Sequence, residues 1–274
     1  MYALDFIYDG RLLSDYGFIV CNFDYSNGFE TASIGSNITF NKVSQHSGRN
    51  FSLTSAVYGE CITSTFDICK NPNFFNGNER IITNEEYRQI VQWLNRREFL
   101  KFHLIDEGNS DFVNENCYYN ASFNIEKIKL NEILYGLRLT METDKPFGYG
   151  VETKLKLIFS TANSSKVISI ISDEYGHIYP DVTILCKKDG NITLKNLTEK
   201  CSTTIKNCKF GEVIHLYGEQ QIIQTSLSSH DICNDFNYDF FRIGRTFSNA
   251  NNTIAASIPC DVEIKYTPII KDIP

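Results

Sequence analysis

The stretch LYGLRLTMETDKPFGYG, Leu134–Gly150, decides how this chain is built. Leu137, Leu139 and Met141 alternate with Arg138, Thr140 and Glu142. Successive side chains of a strand point to opposite faces, so the pattern predicts an antiparallel strand with one buried and one wet side. Lys145-Pro146-Phe147-Gly148-Tyr149-Gly150 then interrupts the alternation, because proline lacks a ladder amide and glycine has no side chain to pack. The break marks a domain junction at Pro146, Phe147 and Gly148, with expected domains of 1–148 and 149–274.

Toward the N-terminus, Leu4, Phe6 and Tyr8 share one face before an Asp9-Gly10 turn, and Phe18 and Val20 start a second strand after Asp15-Tyr16-Gly17. Residues 24–60 are rich in Ser, Asn, Gly and Thr, with scattered aromatics at Phe29, Phe40, Phe51 and Tyr58. Strands in so long an excursion are expensive to order alone, so they are expected to lie against a neighbouring subunit. Residues 61–69 alternate again. Thr83 and Glu86 form a capping-box pair ahead of Tyr87, Ile90, Val91 and Leu94, flanked by Trp93, which predicts one amphipathic helix. Strands are expected from Phe99 to Leu104, Tyr118 to Phe123 and Ile125 to Leu130, with a turn at Asp106–Asn109.

Beyond the junction the chain reads as strands with turns roughly every ten residues, which predicts a two-sheet sandwich. Leu155, Leu157 and Phe159 alternate, as do Val182, Ile184 and Cys186. The Lys188-Asp189-Gly190-Asn191 turn signals a hairpin. Ile192, Leu194 and Leu197 are read as the next apolar set, then Val213, Leu216 and Tyr217, then Ile222 and Ile223. Phe240, Phe241 and Ile243 follow, with a polar turn at Ser248–Thr253. Val262, Ile264 and Tyr266 close the pattern.

The 274 residues suit one large or two ordinary domains, and 20 Phe and 15 Tyr against one Trp favour strands. A net charge of −7 disfavours phosphate backbones as a main partner, so no specific nucleic acid is expected; Arg96-Arg97 beside Arg88 is the densest basic cluster. No run of 18 apolar residues exists, so no membrane partner is expected. Asp5 and Asp9 make the N-terminus unlike a signal peptide, and the expectation is synthesis in a cytosol. The nine cysteines contain no CxxC pair and are expected to be reduced, mostly buried thiols, with no metal and no cofactor.

The histidines His46, His103, His177, His215 and His230 accompany no HExxH, GxSxG or Walker pattern. The adjacent acids Glu85-Glu86, Asp106-Glu107 and Asp173-Glu174 do not by themselves face each other across a cleft. No catalytic residue is assigned and the chain is expected not to be an enzyme. Tyr175, Tyr179, Tyr217 and Tyr238 are candidates for stacking on sugar rings, with His177 and Phe241 beside them; the competing reading of such aromatics is core packing.

Several marks, taken in order, resemble one family. They are Phe6-Ile7-Tyr8-Asp9-Gly10 leading to Asp15-Tyr16-Gly17-Phe18-Ile19-Val20, the capped helix with Trp93-Leu94, and Glu142-Thr143-Asp144-Lys145-Pro146-Phe147-Gly148-Tyr149. Gly176-His177-Ile178-Tyr179-Pro180-Asp181-Val182-Thr183-Ile184, Gly211-Glu212-Val213-Ile214 and Asp261-Val262-Glu263-Ile264-Lys265-Tyr266-Thr267-Pro268 follow. Over nearly its whole length the chain resembles the distal tail protein (Dit) family of long-tailed phages and prophages. The resemblance implies a mainly β fold: an N-terminal split β-barrel with one α-helix and a β-extension, then a C-terminal galectin-like β-sandwich. It implies a virion protein made in the bacterial host cytoplasm, forming a hexameric ring between the tail tube and the baseplate or host-adsorption apparatus. Its partners would be the tail tube protein, the tape-measure protein, a tail hub or tail-associated lysin, and receptor-binding or baseplate proteins. A carbohydrate-binding adhesion module recognising host cell-wall polysaccharide is the alternative, and a cell-wall hydrolase a third.

Overall fold

A computed structural model of the chain describes residues 3–21, 38–44, 52–74, 80–106 and 117–271. They fall into two units, 3–149 with 270–271, and 150–269. The chain thus leaves the first unit after Tyr149 and returns to it at Ile270. Less than half of the excursion expected at 24–60 is described, its residues 38–44 and 52–60; 24–37 and 45–51, like the turn residues 107–109, lie outside the described residues.

In the first unit, β1 (Ala3–Tyr8) turns through Asp9-Gly10 into β2 (Arg11–Leu12), and β3 (Phe18–Cys21) follows. β4 (Ile38–Ser44) and β5 (Ser52–Tyr58) precede β6 (Thr63–Lys70) and the helix α1 (Asn84–Leu94). β7 (Leu100–Asp106), β8 (Cys117–Leu130), β9 (Ile133–Thr143) and β10 (Gly148–Gly150) complete the run. The strand order β2-β1-β7-β8-β9-β6-β3 ends at β2 and β3 without closing, so the sheet is open, as a split barrel is. The two segments expected at 118–123 and 125–130 are one continuous strand, β8, because the alternation runs straight through Asn124.

The core of this unit is aromatic. Phe6 stacks on Trp93 with centroids 5.8 Å apart and lies 5.4 Å from Phe102, while Tyr8 meets Phe123 edge-on at 5.1 Å. Their polar tips are satisfied, as buried Trp and Tyr require: Trp93 Nε1 donates to the Tyr8 carbonyl at 3.0 Å, and Tyr8 Oη to the Ala121 carbonyl at 3.2 Å. Burial pushes the Tyr8 phenol up to about 12.

The helix forms as its start signal predicts. Glu86 N donates to Thr83 Oγ1 at 3.2 Å and Thr83 N to Glu86 Oε2 at 2.7 Å. Ile90, Trp93 and Leu94 are its buried face. Burial pushes the Glu86 carboxyl up, but hydrogen bonds from Lys70 and Thr83 outweigh this and hold it below the usual range. Arg96 Nε donates to the carbonyls of Gln92 and Trp93, so this member of the basic cluster serves the helix C-terminus.

The second unit is a sandwich. β11 (Thr153–Phe159), β12 (Ser164–Ser169), β13 (Gly176–Ile178), β14 (Asp181–Cys186), β15 (Gly190–Asn196), β16 (Cys201–Cys208), β17 (Val213–Tyr217) and β18 (Ile222–Thr225) come first. The one-turn helix α2 (Ile232–Asp235), β19 (Ile243–Arg245), β20 (Asn251–Ala256), β21 (Cys260–Tyr266) and β22 (Ile269–Ile270) follow. One sheet has the order β11-β21-β14-β17-β18, the other β12-β20-β15-β16, and β13 pairs with β19. The inward faces meet in one core containing Phe159, Val182, Ile184, Ile192, Leu194, Ile214, Ile254, Val262 and Ile264.

Three expectations are corrected here. The Lys188-Asp189-Gly190-Asn191 turn does not close a hairpin. β14 and β15 belong to different sheets, so the turn is an arch across the sandwich. Turn chemistry reports that the chain reverses, not which strand it then pairs with. Leu197 is 54 % exposed, and the residue that continues the inward face of Ile192 and Leu194 is Asn196, fully buried. Strict period two selects 196, and hydrogen bonds make its burial tolerable. Asn196 Nδ2 donates to Asn252 Oδ1 at 2.7 Å and to the Arg242 carbonyl at 3.0 Å, and Asn196 Oδ1 accepts from the amides of Thr198 and Glu199. Asn252, also fully buried, bonds both the amide and the carbonyl of Gly244. The turn expected at 248–253 gives way to β20 for the same reason.

Asn196→Ala is expected to destabilise the protein by roughly 2–3 kcal/mol, by orphaning buried donors and acceptors, whereas Leu197→Ala costs less than about 0.5 kcal/mol. Urea melts followed by circular dichroism compare the two directly, and equal costs contradict the assignment of the inward face.

Candidate interaction surfaces

Among the described residues, those singled out in the sequence form no compact constellation of catalytic groups; His46 and Glu107 lie outside the described residues. His103 Nδ1 sits 3.2 Å from the Cys117 carbonyl, and His215 Nδ1 is 3.1 Å from Thr183 Oγ1. Glu85 and Glu86 lie in the first turn of α1. Cys117, Cys186, Cys201, Cys208 and Cys260 are buried and Cys233 is exposed, all as free thiols. Among the described residues no cluster of three His, Cys, Asp or Glu side chains could hold a metal ion.

The four candidate tyrosines stand against different neighbours. Tyr175 is half exposed and meets Phe247 edge-on at 6.3 Å. Tyr179 is partly buried and packs on the sandwich core. Tyr217 stacks on His215 with centroids 6.3 Å apart. Tyr238 is exposed, lies 5.3 Å from Phe236, and donates its hydroxyl to the Cys233 carbonyl at 2.9 Å. His177 Nδ1 is 2.6 Å from Glu199 Oε2. Phe241 is buried in the core and is no platform, because the late aromatic run turns inward under β16. Phe247 is 89 % exposed and was not singled out; only its place in a polar turn hints at exposure.

The junction residues are held by aromatic packing within the first unit. Phe147 contacts Tyr58 at 6.3 Å and Tyr149 at 6.0 Å, and Tyr149 stacks on Tyr118 at 5.3 Å. Tyr149 Oη donates to Asp144 Oδ2 at 3.0 Å. A Cβ at Gly148 would stand 2.7 Å from Cys117 Sγ and 3.0 Å from the Tyr119 ring, so the close passage over β8 demands glycine. Pro146 is partly buried beside it.

A groove of about 860 Å³ lies in the first unit between Pro72, Arg80, Ile128, Leu130, Tyr135 and Arg138. Two of the cations along it are held by carboxylates: Lys70 by Glu86 at 2.6 Å, and Arg138 by Asp67 through two hydrogen bonds of 2.9 and 3.1 Å.

The largest departure from a self-contained fold is the β4–β5 ribbon. These strands pair with each other from Ile38↔Tyr58 to Ser44↔Ser52 and join neither large sheet. Opposite residues share a face, so Ile38, Phe40, Ala56 and Tyr58 lie together. Ile38 and Phe40 are exposed, Phe40 to 62 %, as is Val57 on the other face.

One buried ionic cluster gave no sequence signal. Glu212, between β16 and β17, is paired with His230, eighteen residues on, at 2.5 Å.

Comparison with known proteins agrees with this architecture. Residues 1–145 match the family described as phage tail protein N-terminal domain, and residues 147–266 the family described as phage tail C-terminal domain. No curated protein matches the chain. Among solved structures, the crystal structure of Dit (gp 19.1) of phage SPP1 is similar, with a TM-score of 0.65 at 14 % identity, covering 96 % of this chain and 98 % of that one. That protein is described as a paradigm of the hub adsorption apparatus in phages infecting Gram-positive bacteria. With both of its domains matched in order and a Dit-like fold beneath them, the chain belongs to the phage tail protein family.

Proposed function

We propose that the chain is a distal tail protein whose copies close into a six-membered ring joining the tail tube to the baseplate or host-adsorption apparatus. The observation that carries this reading is the β4–β5 ribbon. A two-stranded ribbon is at best marginally stable in water, and this one leaves Ile38, Phe40 and Val57 exposed. Laid on a neighbouring copy it gains an apolar cover. The contact is heterologous, arm to body, and such contacts generate rings when the rotation closes. The same reading gives residues 1–148 the ring and residues 149–274 the attachment of receptor-binding or baseplate proteins. The tape-measure protein, the tube protein and a tail hub or lysin would meet the ring itself, and assembly would take place in the host cytoplasm. Packing surfaces of this kind need no reaction chemistry.

A second reading has its own observation. Tyr175 and Phe247 present two exposed rings beside the His177–Glu199 pair, a surface able to stack on a sugar and bond its hydroxyls. It would make the second unit an adhesion module for cell-wall polysaccharide, compatible with the ring.

Negative-stain images and light scattering of the purified chain are expected to show closed rings. Phe40→Asp is expected to yield monomers whose circular dichroism spectrum matches the parent, since Phe40 supports no core of its own chain, while the melt falls by whatever the ring contributes. A parent that stays monomeric with its tail partners present contradicts the ring. On a glycan array, Tyr175→Ala and Phe247→Ala should each weaken any polysaccharide signal severalfold, and an array with no signal removes the adhesion reading alone.

A further inference from the structure

We propose that the buried Glu212–His230 pair is an acid-sensitive latch that holds residues 226–242 against the edge of β16. Glu212 is fully buried and the His230 side chain is 4 % exposed. Glu212 Oε1 accepts from Thr225 Oγ1 and from His230 Nδ1, both at 2.5 Å, and Glu212 Oε2 accepts from the Lys209 amide at 2.8 Å. One carboxylate therefore ties together the turn after β16, the end of β18 and the start of the following segment. His230 Nε2 lies 3.3 Å from Asp235 Oδ2, and Asp235 in turn accepts two hydrogen bonds from Asn207 Nδ2. The Cys208 and Cys186 thiols also lie near the pair, uncharged in this range, and the Asp235 carboxylate favours a charged imidazole.

The segment so held covers a sheet edge. β16 is the last strand of its sheet, and an edge strand presents unpaired amides and carbonyls. Residues 236–239 occupy that edge. Phe236 bridges Ile205, the Asn237 amide donates to the Thr204 carbonyl at 3.1 Å, and Asn237 Oδ1 accepts from the Thr204 amide at 3.0 Å. Asp239 Oδ2 accepts from the Ser202 amide at 3.1 Å. Ile232, Phe236 and Phe240 anchor the segment in the core, and the latch fixes its upstream end.

The pH window follows from the pair. Burial pushes the Glu212 carboxyl up, but hydrogen bonds from His230, Thr225 and the Lys209 amide prevail and hold it below its ordinary 4.5. Burial pushes His230 down, but Glu212 prevails and holds it above its ordinary 6.5. The carboxylate contributes fully above 4.5 and is lost as pH falls through its lowered value. The imidazolium contributes fully below 6.5 and is lost as pH rises through its raised value. The latch is thus tightest between 4.5 and 6.5. On the acid side the carboxylate that gathers all three elements is neutralised, the segment opens, and the edge of β16 is bared.

Hydrogen exchange of the full chain tests this, with protection corrected for the intrinsic pH dependence. Protection of the Ser202 and Thr204 amides should fall severalfold between pH 5.5 and pH 3.5, toward the roughly tenfold ceiling that one carboxyl allows, while the central strands β14 and β21 hold theirs. In Glu212→Gln these edge amides should already be weakly protected at pH 5.5, with no further fall. In His230→Gln, which keeps a donor but loses the charge, the opening midpoint should move to higher pH. Edge amides that track β14 and β21 at every pH overturn the latch, as does an unchanged midpoint in His230→Gln.

Discussion

A sheet must end somewhere, and its last strand carries backbone groups that want a partner. Much of this molecule is explained by how it meets that demand. In the second unit the edge of β16 is occupied by the chain's own residues 236–239, side chains included. In the first unit β4 and β5 hydrogen-bond as a ribbon of their own, apart from the large sheet. The second unit closes one of its sheet edges with its own chain; the first holds a ribbon outside its main sheet. That asymmetry, rather than any pocket, orients the functional reading.

Much of the fold was legible because period two and the capping box are local signals. Leu137, Leu139 and Met141 face the core as their alternation requires, and Thr83 and Glu86 cap α1 as their spacing requires. The failures are non-local. Asn196 looks like a surface residue until Asn252, far along the chain, supplies its partner. The arch at Lys188–Asn191 carries hairpin chemistry, but sheet membership is decided by β16, β17, β20 and β21. Of the surface candidates, Tyr175 and Tyr238 are exposed, whereas Tyr179 packs partly on the core and Phe241 is buried in it. Composition cannot separate platform from core, since the same rings serve both. The pairing of Glu212 with His230 was silent for a related reason: two residues eighteen apart make no motif.

The two units also build their interiors differently. The first relies on interlocked rings around Phe6, whose polar tips are spent on backbone carbonyls. The second combines aliphatic strands with a buried Asn pair and a buried carboxylate, and polar groups of that kind hold a structure to one geometry because every bond must be met at once. A tail component that meets several partners through surfaces benefits from rigid bodies beneath them.

The second unit is spliced into the first between β10 and β22, two short strands that pair with each other. Its entry and exit therefore lie side by side. A fold whose two ends coincide is the kind that recombination can lift out and replace without disturbing its host. The second unit of such a protein can diversify as a cassette while the first unit's own sheet and core stay as they are.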